Sequence, residues 1–217
     1  MTSETLPPAT LPGSAGEHTL QEQYGTRLRA SAFYRSQVLD HLNTRMQAFI
    51  ARQEMMFVGT ADARGEADVT FRAGEPGFVR VLDAKTLAYP EYRGNGVMAS
   101  LGNISENPHV GLLFVDFAGD KVGLHVNGHA EIVENDSLAA APSTPNIIRS
   151  DMEAAIGRRP ERWVVVRVIE AYIHCSKHIP QLRKVAAGEV QWGTDDVRAK
   201  GGDYFKAKDS PRPSGAR

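Results

Sequence analysis

The sequence predicts a mainly β (α+β) protein: six or seven antiparallel strands closed into a barrel, with helices at the periphery. Three observations carry this. Short apolar runs recur from Met55 to Cys175, most of them separated by tight turns. Consecutive strands do not alternate with helices long enough to serve as crossovers, which excludes a doubly wound parallel sheet. A sheet of this many strands also removes its unpaired edges by closing on itself.

The elements follow in order. Residues 1–18, "MTSETLPPATLPGSAGEH", are rich in Pro, Ser, Thr and Gly and read as a disordered leader. They have neither a basic start nor an apolar block, so no secretory signal is expected. The main domain is expected over residues 19–180. In "SAFYRSQVLDHLNTRMQAFIARQE", Val38, Leu42, Met46, Phe49 and Ile50 form one apolar stripe, predicting a single amphipathic helix that packs on the barrel. At Met55 the period changes: "MMFVGTAD" and "ADVTFRAG" are joined by the turn "ARGE", and "GFVRVLD" and "TLAYP" by "AK". A Gly-rich loop and a helix-like segment from Val97 to Ser105 come next. The strands "VGLLFVDF" and "VGLHVNGHAEIV" follow around "AGDK". An excursion from Glu134 to Pro160 is expected to hold a short helix at "SDMEAAIG", and "RWVVVRVIEAYIHC" is the last strand. Residues 181–217 read as a polar extension ending in "KDSPRPSGAR".

Composition narrows the function. A chain of 217 residues buries enough surface to fold without a metal or a disulfide staple. Its one cysteine, Cys175, forms no internal disulfide framework and fits a reducing cytosol. A net charge of -1 gives no electrostatic basis for binding nucleic acid or an anionic membrane, and no apolar run is long enough to span a bilayer. A soluble cytoplasmic globular protein is expected.

Candidate site residues fall where strands end. Arg72 closes a strand ahead of Gly74 and Gly77. Arg93 opens the loop Gly94–Asn95–Gly96, and a helix beginning near Val97 would point its free N–H groups and dipole into that loop. Guanidinium groups match phosphate oxygens in bidentate fashion, and a monoester carries about 1.5 to 2 negative charges at neutral pH. Ser100 could add a hydroxyl donor; the bland alternative is that Arg93 and the glycines merely build a solvated turn. On the strand "VGLHVNGHAEI", Leu124, Val126 and Ala130 face one way while His125, Asn127, His129 and Glu131 face the other. That polar face either meets water or lines a wet cleft between subunits. Its histidines lack a third and fourth ligand, and no metal is expected. His174 and Cys175 point to opposite faces, which argues against a nucleophile pair. Lys177 remains a candidate cation.

The run from Met55 to Val133, through "GFVRVLDAKTLAYP", "RGNGVMASLGNISENPHVGLLF" and "VNGHAEI", resembles the pyridoxamine 5′-phosphate oxidase-like FMN-binding split-barrel family, in its uncharacterised FMN-dependent branch. Arg93, Gly94, Asn95, His174, Cys175 and Lys177 fit that branch. The resemblance implies a homodimer holding FMN at the subunit interface. Arg72, Arg93, Asn95 and Ser100 would bind the ribityl phosphate. The strand from Val79 to Leu82 would flank the ring, and His125 and Asn127 would reach it across the interface. Lys177 or His125 would face the N1–C2=O edge of the reduced ring. The implied activity is FMN-dependent oxidoreduction of a small organic substrate, with no catalytic residue assigned. The alternatives are a flavin carrier or sensor without turnover, or a barrel that binds deazaflavin or haem. The chain departs from true pyridoxamine phosphate oxidases, which carry Arg-Lys at the start of the helix, where this chain has Ala99 and Ser100 nearby after a longer loop, and which end in an Arg-x-His clamp absent from "WGTDDVRAKGGDYFKAKDSPRPSGAR". The resemblance therefore does not extend to vitamin B6 oxidation.

Overall fold

The computed structural model describes residues 11–142, 144–154, 158–185, 190 and 193–211. Seven strands form one sheet: β1 (Met55–Ala61), β2 (Ala67–Ala73), β3 (Arg80–Asp83), β4 (Thr86–Glu91), β5 (His109–Val115), β6 (Gly123–Glu134) and β7 (Arg162–His174). Every pairing is antiparallel, in the order β2-β1-β5-β6-β7-β4-β3. The fold is thus the expected mainly β split barrel. Full closure is not observed: β2 and β3 are the two ends of the ladder and do not pair with each other. The expected turns "ARGE", "AK" and "AGDK" lie where β1 meets β2, β3 meets β4 and β5 meets β6.

The N-terminal region differs from expectation. Residues 1–10 of the expected leader lie outside the described residues, and α1 (Ala15–Gln23) starts behind a capping box made by Ser14 and Glu17. The single helix expected around Leu42 is two helices, α2 (Arg27–Gln37) and α3 (Thr44–Ile50). Between them the chain is drawn out because Leu39 bridges Ala171 of β7, with N–H···O distances of 3.0 and 2.8 Å. Asn43 then restarts the helix by accepting from the Met46 amide. Leu42, Phe49 and Ile50 still enter the core, as their spacing predicts.

Strand alternation sets that core. Met56, Val58, Leu112, Phe114, Val126 and Val166 point inward and are nearly inaccessible to solvent. A second cluster, built on Trp163, lies on the outer face of β4 and β7 beneath α5 (Asn135–Ala140) and α6 (Asn146–Met152). The excursion therefore holds two helices displaced from the expected "SDMEAAIG", of which residues 155–157 lie outside the described residues. Strand β4 is buried on both faces as a result.

The β6–β7 register shifts at Asn127/Gly128, where the backbones crowd: a Cβ on Gly128 would stand 2.3 Å from the Arg167 carbonyl oxygen. Gly128→Ala is therefore expected to destabilise the fold by about 1–3 kcal/mol. The effect is read as a lower urea midpoint at unchanged slope.

Candidate functional site

A cleft of about 970 Å³ opens where β2, the end of β4, the following loop and the first turn of α4 (Ala99–Glu106) meet. Of the expected residues it brings together Arg72, Arg93, Gly94, Asn95 and Ser100. The helix starts two residues later than expected, so Ser100 occupies its second position and not a place one turn in. Met98 precedes it in the left-handed conformation (φ 56°), and no side chain caps the helix. The first amides of α4 thus lack intrahelical acceptors, and their positive end faces the cleft. The Asn95 side-chain oxygen, Oδ1, accepts from the Val97 amide at 3.0 Å and shapes the loop.

Arg72 departs from its expected role. Its Nε and one Nη donate to both oxygens of Glu91, at 2.8 and 3.1 Å. The remaining donors reach Ser100 Oγ (2.8 Å), Thr70 Oγ1 (2.8 Å) and the Phe71 carbonyl (3.2 Å). All five guanidinium N–H groups are engaged. Glu91 is only 8% exposed and needs this counter-charge. Arg72 accordingly positions Ser100, whose oxygen accepts from it while the hydroxyl proton stays available to donate.

Sequence reasoning missed Glu91 and the far end of the chain. Thr194, Asp195 and Lys200 also line the cleft. Asp195 Oδ2 lies 2.6 Å from Arg93 Nη2, and Oδ1 lies 3.1 Å from Lys200 Nζ. The Lys200 hydrogen bond, with help from the Arg93 charge, holds this carboxyl below its ordinary range. Four cations around the cleft (Arg72, Arg93, Arg162 and Lys200) face four carboxylates (Asp68, Glu91, Glu161 and Asp195). Thr70 was legible in principle, two residues from Arg72 on one strand face. Nothing local marks Asp195.

The other expected residues lie elsewhere in the protomer. His125 stacks on Tyr172 at 4.7 Å, and its Nε2 is 2.9 Å from His174 Nδ1. Asn127 donates to Glu170 at 2.8 Å and lines a separate cavity of about 480 Å³ under α1 and α2. Lys177 sits in an exposed 3₁₀ turn after β7. The segment expected to flank a ring does not line the cleft: Val79 is buried in the core and Arg80 is turned onto Asp151. His174 faces His125 and not Cys175, as strand geometry predicts, and Cys175 is exposed. Among the described residues no group of three or more His, Cys, Asp or Glu is arranged to hold a metal ion.

With this geometry in view, residues 42–175 match the family described as pyridoxamine 5′-phosphate oxidase, and the chain belongs to that family. Solved structures with a similar fold include HupZ of Group A Streptococcus, 23% identical with a TM-score of 0.42, covering 58% of this chain and 88% of that one. An FMN-binding protein of Syntrophomonas wolfei is 10% identical with a TM-score of 0.45, covering 73% and 97%. HutZ, the heme storage protein of Vibrio cholerae, is 14% identical with a TM-score of 0.37, covering 59% and 89%. No curated protein matches the chain. Among the described residues no helix is long and apolar enough to cross a membrane.

Two outcomes follow. Arg72→Met is expected to cost about 3–5 kcal/mol in chemical denaturation, because it strands Glu91, while Arg72→Met with Glu91→Leu recovers most of the loss. Burial, and secondarily the His174 charge, lowers the His125 pKa below its ordinary 6.5. The unfolded chain therefore binds the extra proton first, so stability is full above pH 6.5 and falls as pH drops from there towards the folded value. Melting temperatures between about pH 5.5 and 7.5 should show this slope, flattened in His125→Asn.

Proposed function

We propose that this cleft binds FMN through its phosphate and that the chain is an FMN-dependent oxidoreductase acting on a small organic substrate. The observation that carries the reading is the uncapped start of α4, open to the same cleft as Arg93 and the Ser100 hydroxyl. Those groups suit a phosphate monoester: bare amides and a helix dipole for its oxygens, a hydroxyl donor fixed by Arg72, and an exposed guanidinium for its charge. The volume lies within the range of cofactor sites. Membership of the family points the same way.

Bound flavin supplies hydride transfer, and the protein supplies placement and electrostatics. The amides of Ala99 and Ser100 would orient the ester, and Glu91 holds the Arg72 guanidinium that in turn fixes Ser100. His125, Asn127 and Lys177 do not line their own protomer's cleft, so they reach a bound ring only in a homodimer. One row on the sheet supports such pairing. The register aligns Phe71, Phe57, Leu113, His125 and Tyr172 across β2, β1, β5, β6 and β7, and Phe71 is half exposed. The row's apolar members Phe71, Phe57 and Leu113 suit burial against a second copy, while Tyr172 at the far end packs against Phe33 of α2. A cytoplasmic location fits the single exposed thiol.

Freshly purified protein is expected to be yellow with the long-wavelength bands of oxidised flavin, or, if colourless, to bind added FMN with Kd near or below about 1 μM. NADH or NADPH should bleach those bands in stopped flow, and an organic acceptor should restore them. A Soret band, or no FMN binding, overturns the reading; binding without reduction leaves a flavin carrier.

A further inference from the structure

We infer that the segment from Gly193 to Lys200 is a self-ligand of the cleft: Asp195 occupies the anion position beside Arg93, and a phosphate ester binds by displacing it. This rests on the reading of the cleft as a phosphate site and adds a gate to it.

Four lining cations are matched by four carboxylates, so the cleft as it stands offers a dianion little net attraction. One carboxylate has to withdraw before an ester is well held. Glu91 cannot, being buried and bound through both oxygens to Arg72. The backbones of Asp68 and Glu161 are anchored, in β2 and through the Glu161 amide's bond to the Glu91 carbonyl at 2.8 Å, and it is Asp195 that pairs with Arg93 and Lys200. Asp195 alone of the four lies outside the sheet region. Its carboxylate bridges Arg93 and Lys200 at 2.6 and 3.1 Å, each contact being the kind a phosphate oxygen would make. Arg93 and Asp195 are each 60% exposed, so solvent screens the pair and it exchanges readily. When Asp195 leaves, Arg93 is released to the ester and the cleft gains one net positive charge.

The test compares FMN with riboflavin, which lacks the phosphate, by flavin fluorescence quenching on the full chain and on Asp195→Asn. Asp195→Asn is expected to bind FMN about 2- to 5-fold more tightly at low salt, with riboflavin affinity unchanged. Trypsin, which cuts after Arg198 and Lys200, should cleave the wild-type segment faster once FMN is added. Equal or weaker FMN binding by Asp195→Asn overturns the inference alone, as does an equal gain for riboflavin or protection of the segment by FMN. If neither protein binds FMN, the cleft reading itself fails and takes the inference with it.

Discussion

The ion pair between Arg72 and Glu91 holds the functional end of the molecule together. Strand β2 is one end of the hydrogen-bonded ladder, and β4 lies next to the other end. No backbone ladder joins them, so the paired side chains of Arg72 and Glu91 bridge the split in the barrel. Both partners are largely shielded from water. A buried pair of this kind adds little stability over well-packed apolar residues, but losing one partner leaves an uncompensated charge. Its value lies in position. The same guanidinium reaches Ser100, so the first turn of α4 is fixed relative to β2 and β4 together.

Much of the barrel was legible because strand burial follows a period of two and tight turns interrupt it visibly. Inward Leu124, Val126 and Ala130 and outward His125, Asn127 and His129 fall where alternation puts them. What escaped was decided by partners distant in sequence. The stripe through Val38 and Leu42 reads as one helix, yet the Leu39 pairing with Ala171 competes for the same backbone groups and wins. A solitary arginine at a strand end looks like an anion ligand, since nothing near Arg72 announces that a buried Glu91 will claim it. Helices α5 and α6 were obscured because their apolar residues serve the outer face of β4 and β7, a surface invisible before the sheet order is known.

The site shows the same division. The loop from Arg93 to Gly96 was readable from composition, because glycines and a cation ahead of a helix have a local physical meaning. The expected convergence of His125, Asn127 and Lys177 with Arg93 is not met within one protomer, since β6 and the end of β7 lie on another part of the sheet. Family membership accounts for the barrel, while the cleft's lining by Thr194, Asp195 and Lys200 comes from outside the matched residues 42–175.

The route from β4 to α4 explains why the cleft has an uncapped helix at all. Sandwiched between two apolar clusters, β4 is a rigid base that carries Glu91 into the interior. Within a few residues the chain must reverse from buried to exposed, and Gly96 at φ 81° and Met98 at φ 56° make that reversal. A left-handed methionine costs about 1–2 kcal/mol, which only a fixed surround sustains. A capping Ser, Asp or Asn side chain accepts from a first-turn amide when its own backbone is extended, a geometry that the left-handed residue 98 does not offer. The first turn of α4 therefore keeps amides without a side-chain acceptor, at the edge of the cleft that Arg93 also lines.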